Sequence, residues 1–312
     1  MKPRLLSFAA AILSITFIFT SCKKEGSTSG TQDFTAETST HSDDQSRFSA
    51  EVDAVANDAN IVLESTAGFT GKPGDMQSII CDAAIDVDTF SNPRTITITY
   101  DGTNCLGDRT RTGVIVLSMA QGVHWKDAGA ALSVSYQNFK VTRVSDNKSI
   151  TINGTQTFTN VSGGLLFNLP TLNSITHTIT SSNMSVTFDN GSQRTWQVAR
   201  QRVFTYSNGG VTITITGMHT DGTITGIAEW GTNRFGRPFV TAIAEPVVLK
   251  SDCALRVGNG KVVHTTDAYS ASATFGLDAN GAPTACPGAG HYYMKIVWTG
   301  PAGNTHTALL PY

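Results

Sequence analysis

The residues best equipped for chemistry are five cysteines, seven histidines, a short run of aspartates and one arginine-rich strand. Nucleophilic catalysis needs a Ser or Cys on a sharp turn with a base in reach, and no G-x-S-x-G occurs in the body of the chain. The histidines are scattered, with no HExxH and no H-x(3–5)-H spacing, and His291 alone lies near a body cysteine, with no C-x-x-C to complete a zinc set. Asp82, Asp86 and Asp88 cluster beside Cys81. On an extended segment Asp86 and Asp88 share a face and offer oxygens to calcium, but the Gly and Glu of an EF-hand loop are missing. A solvated acidic edge that discourages strand–strand aggregation is the better reading. No catalytic residue, metal or cofactor is therefore assigned, and the chain is read as a non-enzyme.

The segment Arg194–Tyr206 is the richest. Its even positions place Arg194, Trp196, Val198, Arg200, Arg202, Phe204 and Tyr206 on one strand face. Arginines among aromatics can grip a glycan or an anionic headgroup by stacking and bidentate hydrogen bonds. Arg194, Trp196, Arg200, Arg202 and Trp230 form that candidate ligand face, with Trp298 as a further aromatic. The competing expectation is structural: arginine stems pack over the core while their heads pair with the few acids on strands, Glu229 or Glu245. That expectation is preferred.

The cysteines speak to compartment. Lys2 and Arg4 precede an apolar run, Leu5 to Phe19, too short and wrongly flanked to span a membrane. Phe19-Thr20-Ser21-Cys22 then resembles a bacterial lipobox with Phe in place of the usual Leu. Lipidation of Cys22 leaves four cysteines, an even number suited to an oxidising compartment. Three pairings are open. Cys81 with Cys105 and Cys253 with Cys286 close the shortest loops and are the expected disulfides, each stabilising by about 3–4 kcal/mol on chain-entropy grounds.

These marks divide the chain into a signal peptide (1–21), a lipidated cysteine with a disordered polar tether (22–46), an amphipathic helix (47–66) and a disulfide-stapled β body (67–312). In the helix Val52, Val55, Ala59 and Val62 fall on one face, with Ser46 or Ser49 to cap it and Gly68 to end it. From Thr95 the period switches to two, as in Thr95–Tyr100, Ser149–Ile152 and Val211–Thr216. Turn signals recur at Asp146-Asn147, Asp189-Asn190-Gly191, Asn208-Gly209-Gly210, Asp221-Gly222, Gly258-Asn259-Gly260 and Asn280-Gly281. About fourteen strands are expected. Their clean alternation predicts an all-β body, a large antiparallel sheet folded as a sandwich or a barrel-like roll. Arg109-Thr110-Arg111 and Arg200-Gln201-Arg202 echo one another, as two related halves would.

Removing Lys2 and Arg4 leaves 20 basic against 24 acidic side chains, a net charge of −4. That balance gives no basic stripe for nucleic acid. Ser21-Cys22-Lys23-Lys24, the acidic helix, the run from Ile96 through Cys105 to Ile115, Val247–Lys250, Cys253 and the Gly-rich approach to Cys286 together resemble a family of uncharacterised Bacteroidota outer-membrane or surface lipoproteins. The resemblance spans nearly the whole chain. It implies an envelope location and a β fold, and brings no activity. Lys23 rather than Asp after the lipidated cysteine favours outer-membrane sorting. The expected function is a lipid-anchored envelope protein with a binding or structural role, its partners the membrane and a glycan or envelope protein. A glycan-binding surface module beside uptake machinery, or a hydrolase with an unfamiliar site, are the alternatives.

Overall fold

A computed structural model describes residues 33–312 except 71–79, 182, 288–289 and 301–302. The signal peptide, Cys22 and the first part of the tether lie outside the described residues.

The chain opens with a long helix α1 (Thr35–Ser65) and a single turn α2 (Ala67–Thr70). Among the described residues sixteen strands follow, where about fourteen are expected: β1 (Ala83–Asp88), β2 (Arg94–Thr103), β3 (Arg109–Met119), β4 (Ala130–Arg143), β5 (Ser149–Asn160), β6 (Ser174–Ser181), β7 (Ser185–Phe188) and β8 (Gln193–Ser207). The second half holds β9 (Gly210–Gly217), β10 (His219–Asp221), β11 (Ile224–Thr232), β12 (Pro238–Lys250), β13 (Val257–Thr266), β14 (Ser270–Leu277), β15 (Tyr293–Thr299) and β16 (Thr305–Pro311). All pair antiparallel in one sheet. The body is all-β with one N-terminal helix, as its alternation predicts. β6 and β7 share the lane between β5 and β8. β9 and β11 likewise share the lane between β8 and β12. The sheet is thus a near-continuous meander from β1 to β16.

The period-2 segments bury one face. In β2, Ile96, Ile98 and Tyr100 are buried while the intervening threonines are half-buried or exposed. Bulges bend the sheet. Gly113 in β3 has φ +103°, and a Cβ there would lie 2.2 Å from the Asn138 carbonyl oxygen of β4. The register shifts at that point in both the β3–β4 and β4–β5 ladders. Such bulges sharpen local twist and curl a wide sheet. The Gly258-Asn259-Gly260 signal, expected as a turn, lies inside β13. Gly260 (φ +130°) is a bulge set against the Val247 backbone, where the β12–β13 register slips. Glycine marks both features, and sequence alone does not separate them.

The curled sheet encloses α1. Of its residues only Ala36 and Ile61 are exposed. Phe48, Val52, Val55, Ala59, Val62 and Leu63 pack with Ile96, Ile98, Leu117, Val134, Ile152 and Trp196 in one core. A second core forms over β9 and β12–β15, with Ile213, Ile215, Leu249, Phe275, Met294 and Ile296. The helix also touches β15 and β16. It begins twelve residues before the expected 47, so residues 35–46 are not tether. Thr38, His41, Ser42, Asp44, Gln45 and Ser46 are buried helical residues. Polar composition reads as disorder because it offers no apolar area. Here ion pairs with the sheet hold the segment instead.

Candidate functional site

The arginines that alternation places on one strand face do share a face, and it is the face that meets α1. Arg200 on β8 is fully buried. Its guanidinium bonds Glu229 of β11, Ser49 of α1 and, at 3.3 Å, Asp53 of α1. Glu229, with no exposed surface, also accepts from the Trp196 indole at 2.7 Å and from the Gln45 amide at 3.1 Å. Arg202 donates to Asn57 Oδ1 at 2.6 Å, lies 3.8 Å from Asp53 and covers the Phe204 ring. Burial pulls both guanidinium pKa values down, and Asp53 opposes the shift in each. Tyr136 donates to Gln156 at 2.8 Å on the neighbouring strands, and burial raises its phenol.

The echo in β3 does the same work. Arg109 pairs with Glu51 of α1. Arg111 makes a two-pronged bond to Asp82 (2.7 and 2.5 Å), pairs with Asp58 of α1 at 2.8 Å and lies over the Tyr100 ring. Tyr100 in turn donates to Asp58 at 2.9 Å. At the start of the helix Arg143 binds Asp43 at 2.8 and 3.2 Å, Arg234 binds Asp44 with two bonds of 2.7 Å, and Arg237 binds Glu37 at 2.9 Å. Burial pushes Asp44 up to about 6 against the pull of Arg234. Bidentate arginine–carboxylate pairs are the strong class of charge-assisted bond.

Beside Arg200 lies a cavity of about 30 Å³, bounded by Ser46, Ser49, Asp53 and Glu229 on one side and Ile215, Val247, Val262 and Phe275 on the other. That exceeds the roughly 10–15 Å³ a cavity needs to admit a water. Nearby, His41 and His264 meet edge-to-face at 5.1 Å with no exposed surface. His264 Nδ1 shares a 3.0 Å bond with the Thr241 hydroxyl. Burial lowers His264 to about 4 and holds His41 well below the usual imidazole range.

The other candidate residues do not converge here. Arg194 ties β8 to the loop after β11 by bonding the carbonyls of Asn233 (3.1 Å) and Arg234 (3.3 Å). Trp196 is interior. Trp230 is next in sequence to the inward Glu229, so it points to the opposite face of β11, where it stacks on His219 at 4.2 Å. Trp298 packs in the second core. Of the two acids expected to meet the arginines, Glu229 does so, whereas Glu245 is exposed. The larger set of partners, the acids of α1, is not legible in the sequence, because helix acids opposite an apolar stripe pass for a solvated face. Stoichiometry gives no signal either, because the strands hold six acids for seven arginines.

Cys81–Cys105 and Cys253–Cys286 are disulfides, with Cα separations of 5.3 and 5.1 Å. Asp252 lies close to Cys253 and Cys286, but sulfurs already paired offer no thiolate to a metal. Asp82 is spent on Arg111. Asp88 accepts from the amides of Phe90 (2.8 Å) and Ser91 (3.1 Å) in the β1–β2 turn, so the three aspartates form no common site. Comparison with protein families, curated proteins and solved structures finds no match.

Proposed function

We propose that this chain is a lipid-anchored protein of the bacterial envelope, on the outer membrane, whose body serves a binding or structural role without catalysis. The observation that carries the reading is the cysteine pairing. Four of the five cysteines are joined in two disulfides, a pattern of oxidising compartments. The fifth is Cys22, placed directly after a short apolar run and two small residues. The polar groups of the concave face support a structural role, because they are consumed in holding α1.

Labelling with radioactive palmitate tests the anchor. Wild-type protein should take up label and partition into detergent, and Cys22→Ala should do neither. A Cys22→Ala protein that still fractionates with membranes would move the anchor elsewhere. A glycan-binding role is the second reading. It draws support from Trp230, half-exposed on the outer face, stacked on His219 and paired in register with Gln197. Trp230→Ala should then abolish retention on immobilised envelope polysaccharide while leaving the melting temperature unchanged.

A further inference from the structure

The two ends of the sheet differ in their relation to the anchor. α1 begins at the end where β3, β5 and β8 begin, since its first acids meet Arg143 at the end of β4 and Arg234 beyond β11. It finishes at the opposite end, where Glu64 accepts from the amides of Leu166 and Phe167. Thirty-one helical residues span about 46 Å. The described chain starts at Asp33, eleven residues after Cys22. Eleven residues reach at most about 40 Å even when fully extended. With α1 upright, a body standing on its far end would hold Asp33 about 46 Å above the bilayer, beyond that reach.

At the near end, three turns flank the first half of α1, where the neighbouring Arg237, Arg143 and Arg109 meet Glu37, Asp43 and Glu51, and each presents one apolar side chain. Leu106 is 53% exposed, Val144 51% and Phe235 48%. The turns are braced. The Val144 amide donates to the Asp108 carbonyl at 2.9 Å, joining the first two. Arg234, next to Phe235, is fixed by Asp44 and Asp189. Fixed apolar tips at the end from which the chain runs back toward Cys22 suit the headgroup–acyl boundary of a bilayer.

Building on the lipid-anchor reading, we propose that the body stands on the membrane on this end, with Leu106, Val144 and Phe235 against the lipid. The opposite end, with Phe90 (96% exposed) and Phe167 (76% exposed), faces away.

The test uses full-length, acyl-labelled protein in phosphatidylcholine–phosphatidylglycerol vesicles whose acyl chains carry bromine, a contact quencher of tryptophan. Phe235→Trp and Phe90→Trp are compared with the parent, and Leu106→Trp replaces the first if it melts below the parent. The emission added at 235 or 106 should be largely lost to quenching, and that added at 90 should survive. Equal quenching at both ends, quenching at 90 alone, or none at either would overturn the orientation. A protein without acyl label would instead sink the anchor reading, and the orientation with it.

Discussion

Arg200 lies between Glu229 of β11 and Asp53 of α1, so its loss takes a cation from two buried carboxylates, leaving Asp53 the Arg202 guanidinium at 3.8 Å and Glu229 its neutral donors. Removing one partner of a buried pair costs about 3–5 kcal/mol, far more than the exposed-pair range. Arg200→Ala should lower stability in urea by that amount. An unchanged denaturation midpoint would return this side chain to solvent and reopen its role as a ligand contact. Buried histidines set the acid limit. His264 titrates at about 4 when folded, against about 6.5 when unfolded. The unfolded chain thus binds more protons between these values, and stability present above pH 6.5 drains away as pH falls toward 4. Asp44 opposes this: raised to about 6 from 3.8, it contributes stability below pH 3.8 that is lost as pH rises through 6. His264→Gln should therefore reduce the loss between pH 7 and pH 5 by about 2 kcal/mol, read from urea melts at each pH. At this scale the arginine face was legible from alternation on β8. Its partners were not, since periodicity locates a face without saying what covers it.

The helix shows how far element patterns reach. Apolar spacing marks α1 from Phe48 to Leu63, where its side chains join the first core. Residues 35–46 carry no such spacing, because Arg143, Arg234 and Arg237 hold them through Asp43, Asp44 and Glu37. Tertiary ion pairs there override weak local preference. Ser42→Pro separates the two descriptions. A proline inside a docked helix costs about 3 kcal/mol or more, whereas in a free tether it costs nothing measurable. Circular dichroism and thermal melting of that variant should show lost helix and a lower midpoint. The strands were more legible, since hydroxyl–apolar alternation survives in β2, β5 and β9. Gly258-Asn259-Gly260 misled because a glycine bulge and a glycine turn share composition.

At the scale of the whole molecule, the N-terminal sequence carries both the proposed anchor and the central helix. The segment that follows the proposed anchor is the helix around which the sheet is curled, so tether and core are a few residues apart. The antiparallel hairpin pairing and both disulfides follow from local signals, which give about fourteen strands where sixteen form among the described residues. The enclosure of α1 does not, because it depends on bulges that curl the sheet and on charges that meet across more than a hundred residues. If α1 is the clamped centre of the body, its amides open only when the body unfolds. Hydrogen exchange of the intact protein near neutral pH measures this directly. Amides of residues 38–63 should exchange at the rate of global unfolding, and Arg200→Ala should speed the whole helix together. Rapid exchange over 38–46, with the sheet still protected, would contradict the enclosed helix and restore that segment to a tether.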